Sequence, residues 1–125
     1  MPEGKLESIG GAPVITIDCT KVGAWQSFDE LFAAALGFPA WYEGSPHDWS
    51  RFMLELDNPQ FNECGVLVPR GQVLTIRIGN GPALYKSAKR VFDELARRVA
   101  FVNFGRLSRE QGPILTLSFS REHTE

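Results

Sequence analysis

Cysteine and histidine are scarce in this chain of 125 residues. The two cysteines, Cys19 and Cys64, belong to no C-x-x-C pair, and the two histidines, His47 and His123, lie in unrelated contexts. A structural zinc site takes about four closely spaced ligands, so we predict no metal site, and no other cofactor is expected. Unpaired thiols are typical of a cytoplasmic protein, and we expect Cys19 to pack as a small hydrophobic residue.

Charge of one sign and long apolar runs are also missing. The 13 Lys+Arg residues nearly balance the 15 Asp+Glu, so the basic excess that is typical of nucleic-acid binding is absent, and no direct nucleic-acid contact is expected. No segment approaches the roughly 18 apolar residues that span a membrane, and residues 1–13 lack the basic and apolar regions of a secretory signal. The remaining composition, 43% hydrophobic and 22% charged, indicates one globular domain.

Three segments alternate apolar and polar residues as strands do, at residues 14–19, 73–78 and 114–120. Helical segments separate them, and a crossover helix returns the chain to the same end of a sheet, which favours parallel pairing. We therefore predict a single α/β domain over residues 13–120, with a three-stranded parallel sheet and three to four helices. Flexible tails are expected at residues 1–12 and 121–125.

Capping signals and a period of about 3.6 residues predict the helices. The first begins at Ser27, where the Ser-x-x-Glu spacing forms a capping box, and stops at Gly37. The second begins at Ser45-Pro46 and ends at Asn58-Pro59, with one buried face formed by Trp49, Phe52, Met53 and Leu56. The third runs over residues 83–100, and residues 102–106 follow as a helix exit or a short extra helix.

The stretch from Trp41 to Glu55 combines aromatic and charged residues. Exposed aromatic rings beside carboxylates are typical of interface anchors, although Trp41 and Tyr42 could instead cover the edge of the core. On the second helix, charged residues recur at spacings of three and four, opposite the apolar stripe. Asp48 also has a second explanation as a cap of that helix. We predict a partner-binding surface made of Trp41, Tyr42, Glu43, His47, Asp48, Arg51 and Glu55.

Acidic and basic residues are segregated along the chain. Residues 39–63 hold five acidic residues and one basic residue, whereas residues 86–110 hold seven basic and three acidic ones. Solvated helix faces explain such a pattern; the alternative is a steering surface for a charged partner. The alternative partner surface consists of Lys86, Lys89, Arg90, Arg97 and Arg98.

Catalytic motifs are missing as well. Gly79 and Gly81 follow a strand and precede a helix that carries Lys86, a place where α/β proteins can hold a phosphate. The complete dinucleotide fingerprint and the Gly-Lys-Ser/Thr ending are both absent, so a plain turn is the other interpretation. No nucleophile motif of the Gly-x-Ser-x-Gly kind occurs, and we predict that the protein is not an enzyme.

Several stretches resemble the barstar family of small intracellular nuclease inhibitors and immunity proteins. They begin with Ile15-Thr-Ile-Asp18 and Ser27-Phe-Asp-Glu-Leu31, and the closest is Leu36-Gly-Phe-Pro-Ala-Trp-Tyr42, which is similar to the family's Leu-Gly-Phe-Pro-x-Tyr-Tyr. Later stretches are Leu56-Asp-Asn-Pro59, Val73-Leu-Thr-Ile76, Val102-Asn-Phe104 and Leu115-Thr-Leu-Ser-Phe119. The resemblance implies a barstar-like fold and a cytoplasmic protein that binds and neutralises a toxin, such as a nuclease domain. It also implies a monomer, or a heterodimer with that partner.

The chain departs from the family at the inhibitory helix. Aligned without a gap through Trp49, it has His47 and Arg51 where the family has the two carboxylates that enter a ribonuclease's cationic active site. A one-residue gap would restore Asp48 but would place Phe52 at the second position and break the apolar register. We therefore expect no inhibition of a barnase-like ribonuclease. Alternative functions are a barstar-fold interaction module without inhibitory activity, or a small α/β protein that binds a phosphate ligand.

Overall fold

The computed structural model describes residues 7–9 and 12–120, and the rest of the two expected tails lies outside the described residues. Strands are β1 (Glu7–Ile9), β2 (Ala12–Asp18), β3 (Leu74–Gly79) and β4 (Leu115–Phe119). Helices are α1 (Trp25–Leu36), α2 (Pro46–Leu54), α3 (Gly81–Ser87) and α4 (Lys89–Ser108).

The sheet has the strand order β1-β2-β3-β4, in which β2, β3 and β4 are parallel. Ile15 lies beside Ile76, which in turn lies beside Leu117. In β3, Leu74, Ile76 and Ile78 are fully buried, while the residues between them are partly exposed. The predicted α/β fold, with a three-stranded parallel sheet and helices in the crossovers, is confirmed.

A short antiparallel strand extends this sheet at one edge. In β1, Glu7 pairs with Val14 and Ile9 pairs with Ala12. Strand structure thus extends into the segment that we expected to be a flexible tail, at residues 7–9 and at Ala12. The edge of a strand carries unpaired N–H and C=O groups that favour the addition of another strand, and three residues are too few to show a strand period in the sequence.

Helix α1 begins three residues earlier than the capping box predicts. Its N-cap is Ala24, and the Ser27 hydroxyl folds back to donate to the Ala24 carbonyl at 2.9 Å and to accept from the Ala24 N–H at 3.4 Å. The predicted Ser27–Glu30 box was therefore wrong. The stop at Gly37 is confirmed, because this residue adopts the left-handed conformation (φ 66°) and its N–H meets the last carbonyls of the helix.

Helix α2 begins as its capping residues predict. The Ser45 hydroxyl accepts the Asp48 N–H at 3.3 Å, and Pro46 is the first helical residue. The predicted end at Asn58-Pro59 was wrong, since the helix stops at Leu54 and the following residues form turns. The predicted apolar stripe of Trp49, Phe52, Met53 and Leu56 is fully buried.

The third predicted helix is in fact two. The chain breaks at Ala88 (φ −150°, ψ 55°) between α3 and α4, although an alanine between helix formers gives no local signal for a break. The Ala88 side chain is buried, and its N–H bonds to the Leu84 carbonyl at 2.8 Å. Residues 102–106, predicted as an exit or an extra helix, continue α4 to Ser108.

Two kinds of packing join the helices. Aromatic rings of α1 and α2 meet in the core, where Phe32 stacks on Trp49 at 5.1 Å between ring centroids. Further along, the buried Arg106 of α4 donates to both carboxylate oxygens of Asp57, at 3.0 and 2.9 Å. Arg106 also donates to the carbonyls of Leu54 and Gly112, so it links the ends of α2 and α4 to the segment before β4.

Candidate partner-binding surface

The loop between α1 and α2 sets Trp41 and Tyr42 in different environments. A turn forms after Gly37, in which the Tyr42 N–H donates to the Pro39 carbonyl at 3.0 Å. The Tyr42 ring packs edge-on against Phe38 at 4.8 Å, while the Trp41 side chain leaves 53% of its surface exposed. The two adjacent aromatic residues therefore differ. Tyr42 packs at the edge of the core, and Trp41 is exposed as an interface anchor would be.

Tyr42 belongs to the edge of the core. Its hydroxyl donates to Oδ2 of Asp29 at 2.6 Å, and Asp29 is buried on α1 with its Oδ1 unpartnered among the described residues. Burial raises the pKa of Asp29, although the Tyr42 hydrogen bond and the nearby Arg98 oppose that rise. Burial and the bond to Asp29 also raise the pKa of Tyr42. Its predicted role as a partner contact is limited to the fraction of the ring that remains exposed.

Trp41 is held in place although it is exposed. Its ring lies edge-on to the buried Phe52 at 5.7 Å between centroids. The Arg51 guanidinium lies against both rings, with Cζ 5.9 Å from the Trp41 centroid and 5.2 Å from the Phe52 centroid. An aromatic side chain that is fixed before binding loses little conformational freedom in a complex.

Arg51 is flanked by two carboxylates. Its guanidinium donates to Asp48 at 3.1 Å and also bonds to Glu63, which lies in the loop after α2. The hydrogen bond to Asp48, followed by the influence of Glu63, holds the pKa of Arg51 above its usual value. The positive charge of Arg51 thus lies beside the two negative charges of Asp48 and Glu63. Glu63 was not among the predicted site residues, because it lies 12 positions away from Arg51.

His47 and Glu43 occupy the two sides of this surface. His47 is exposed on α2 and lines a groove of about 390 Å³ against α4, together with Ser50, Arg97 and Phe101. Glu43 is exposed in the loop and has no ion pair with another residue in the described part of the chain. Both side chains are exposed, and their contact with a partner stays a prediction.

Glu55 does not share the exposed face of α2. The helix has already ended at Leu54, and the Glu55 carboxylate pairs with Arg109 at the end of α4, at 3.0 Å. The predicted surface therefore loses Glu55 from the exposed face of α2. The structure brings together Trp41, Asp48 and Arg51, and it places Glu55 at the α2–α4 junction.

Exposed apolar side chains on α4 were not predicted. Phe101, Phe104 and Leu107 recur at spacings of three and are largely exposed, although large apolar side chains usually pack inside a domain. Phe101 reaches the groove beside His47. The sequence could have revealed these exposed residues through their regular spacing, because they form a second apolar stripe on α4 beside the buried one.

Most charged residues of the acidic and basic segments lie in ion pairs. Asp57 meets Arg106, Glu55 meets Arg109, and the Lys89 and Arg97 side chains meet acidic neighbours on their own helix. Arg98 is buried and bonds to Glu94 at 2.6 Å. Two ion pairs thus join the acidic segment to the basic one, and most of the other charges pair within their own segment, which weakens the interpretation of a steering surface.

The Gly79–Lys86 turn is explained by packing. The Gly81 N–H donates to the Ser120 carbonyl at 2.9 Å, and a Cβ on Gly81 would lie 3.3 Å from the Cβ of Phe119. The amide that would hold a phosphate already has an acceptor, and α3 is only seven residues long. These contacts favour the plain-turn interpretation over a phosphate cradle.

The cysteines and acidic residues form no metal centre within residues 12–120. Cys19 is buried as expected, and burial raises the pKa of both the Cys19 and Cys64 thiols to about 12. In this part of the chain, no three His, Cys, Asp or Glu side chains come together as metal ligands would. None of its helices combines the length and the apolar character that a bilayer crossing requires.

The chain matches no protein-family model, no curated protein and no solved structure. Its resemblance to barstar proteins rests on the motifs quoted above and on the order of elements.

Proposed function

We propose that the chain is a barstar-like binding protein of the immunity or antitoxin type, without catalytic activity. It binds a toxin, such as a nuclease domain, through the surface from Trp41 to Glu55 and neutralises it by covering its active site. The observation that supports this proposal best is Trp41, whose exposed ring is fixed against Phe52 and Arg51.

The chemistry of this surface suits a protein partner. Tryptophan and arginine are enriched among the residues that contribute most to protein–protein binding, especially where neighbouring groups exclude water. Here the Trp41 ring supplies apolar area, and Arg51 with Asp48 and Glu63 supplies polar groups of both signs around it. A partner must match both charge signs, which favours one partner over others.

The exposed apolar stripe of α4 favours a second candidate function. Phe101 lies in the groove beside His47, so the binding surface can extend from α2 onto α4. An interaction module without inhibitory activity would use the same surface to assemble with a partner. The two functions differ in whether the bound partner loses its activity.

Partner capture from the source cell, followed by mass spectrometry, tests the proposed surface. We expect a partner that the wild type retains and Trp41→Ala loses, because truncation of a dominant aromatic costs about 2 kcal/mol or more, roughly thirtyfold in affinity. Arg51→Glu should weaken binding too, and Lys89→Glu/Arg90→Glu should not. If the double variant alone abolishes binding, the surface assignment is wrong.

An activity assay of the purified partner then separates the two functions. We expect its toxic activity, for example nucleic-acid cleavage, to fall as the wild-type protein is added and to persist with Trp41→Ala. A partner that binds and keeps its full activity would contradict the neutralising function and support the interaction module.

A further inference from the structure

A second site lies at the first turns of α4. It shares Glu94 and Arg98 with the groove beside His47, but it contains none of the residues predicted for the Trp41–Glu55 surface. A cavity of about 750 Å³ opens between the start of α1 and the start of α4, within the range of roughly 300–1,000 Å³ that small-molecule sites occupy. Its apolar wall includes Trp25, Ala88 and Val91, and its charged wall includes Arg90, Arg98 and the acidic Glu94.

Two helix N-termini meet at this cavity. In α1 the Ser27 hydroxyl accepts the N–H of the N-cap Ala24, but in neither α1 nor α4 does an N-cap side chain bond to the first amides of the helix, and neither has an acidic residue in its first turn. Helix α2, in contrast, has both Ser45 and Asp48 at its start. Free N–H groups and the helix dipole attract anions at such positions, and here the two helices contribute to one cavity through Ala24 and Lys89.

The buried Arg98 adds an independent reason to expect an anion. Its side chain is 9% exposed, and its Nε donates to Glu94 at 2.6 Å. Its Nη1 is buried without a partner among the described residues, as is Nε1 of Trp25, whose ring centroid lies 4.2 Å from the Arg98 Cζ. Buried donors without an acceptor are rare in folded proteins. Both donors belong to residues that line this cavity, which indicates a missing acceptor beside it.

We propose that this cavity binds a small phosphate monoester with an apolar body. The phosphate would accept hydrogen bonds from the helix starts and from the Arg98 and Arg90 guanidinium groups, while the apolar body packs on Trp25 and Val91. A guanidinium group matches phosphate oxygens in geometry and charge. Lys89 contributes less, because its ammonium group pairs with Asp93 at 2.8 Å. This site is separate from the Gly79–Lys86 turn.

Titration calorimetry with phenyl phosphate tests the proposal. We expect a Kd of about 1 mM or tighter, and inorganic phosphate, which lacks the apolar body, should bind at least tenfold more weakly. Arg90→Glu should reduce phenyl phosphate binding at least tenfold. The matched variant Arg70→Glu changes the net charge equally at an exposed residue outside the cavity and should leave binding unchanged.

A variant at the N-cap of α1 separates binding from folding. Ala24→Asp introduces a preferred N-cap residue at a backbone conformation suited to it (φ −153°, ψ 165°), so thermal unfolding should show a fold at least as stable as the wild type. Its carboxylate should nevertheless abolish phenyl phosphate binding. Ala24→Asn, which caps without the charge, should retain more of the binding than Ala24→Asp.

The guanidinium resonances of the two buried arginines give a direct readout. Phenyl phosphate should shift the Arg98 side-chain signals in an NMR spectrum and leave those of Arg106 unchanged, because Arg106 already has partners for its donors. Equal losses in Arg90→Glu and Arg70→Glu, or no shift of Arg98, would overturn the proposal. Benzoate binding as tightly as phenyl phosphate would overturn the assignment to phosphate.

Discussion

Removal of the Asp57 carboxylate should destabilise the protein far more than removal of a carboxylate from an exposed ion pair. The side chains of Arg106 and Asp57 are 5% and 12% exposed, and two hydrogen bonds of 3.0 and 2.9 Å join them. In Asp57→Ala the Arg106 guanidinium stays buried and keeps only its carbonyl acceptors. Breaking a buried pair from one side costs about 3–5 kcal/mol, a large part of a typical domain stability of about 5–15 kcal/mol.

Glu55→Ala is the matched control for this prediction. Glu55 lies two residues from Asp57 and pairs with Arg109 at the same distance of 3.0 Å, but these side chains are 22% and 46% exposed. Because water screens the exposed pair, we expect its loss to cost about 0–1 kcal/mol. The comparison removes one carboxylate in each variant and differs chiefly in burial.

Urea unfolding monitored by tryptophan fluorescence measures both free energies, because Trp49 is fully buried. The double variant Asp57→Ala/Arg106→Met should regain most of the lost stability, since replacing a whole buried pair by apolar groups is often neutral. Equal losses in Asp57→Ala and Glu55→Ala would refute the reasoning. A double variant that is less stable than Asp57→Ala would also refute it. The double variant leaves no unpaired buried charge and should therefore be the more stable of the two.

Three further predictions concern ribonuclease inhibition, a buried acid and a helix end. The purified protein in excess should not inhibit a barnase-type ribonuclease, because Arg51 stands where the barstar family has an acid; strong inhibition would show that Asp48 or Glu43 supplies that charge. Since burial raises the folded-state pKa of Asp29, its contribution to stability should fall as pH rises from about 4 through that raised pKa. Urea unfolding of Asp29→Asn should therefore show a larger gain over the wild type at pH 7 than at pH 4, and an equal difference at both would contradict this. Gly37→Ala should cost about 1–2 kcal/mol in the same assay, because φ is 66° there, and an unchanged unfolding midpoint would contradict it.

Local patterns in the sequence were sufficient for the three parallel strands and for the start and buried face of α2. Apolar residues two positions apart predict β3, and the Ser45-Pro46 start followed by Trp49 and Phe52 predicts the buried face of α2. These signals act within a few residues and depend little on the rest of the fold. No local signal marks the break at Ala88. Alanine favours a helix, and the break depends instead on the tertiary packing that buries this side chain.

The site was less predictable, because tertiary contacts decide which residues are exposed. Trp41 and Tyr42 are adjacent aromatic residues with equal claims to be anchors, and the bond from Tyr42 to Asp29 separates them. That partner lies 13 positions earlier in the sequence, on α1. Glu63 reaches Arg51 in the same way from the loop after α2. Spacing on one helix cannot reveal contacts between elements.

The distribution of charge shows how contacts between elements change a functional interpretation that was made from the sequence. Counted along the chain, residues 39–63 are acidic and residues 86–110 are basic, which favours a steering surface. In three dimensions Asp57 and Glu55 meet Arg106 and Arg109, so part of each charge is neutralised by pairing within the chain. Neutralised pairs contribute little to long-range attraction. A partner of the Trp41–Glu55 surface should therefore depend more on the Trp41 ring than on net charge, and its association rate should change only weakly with ionic strength.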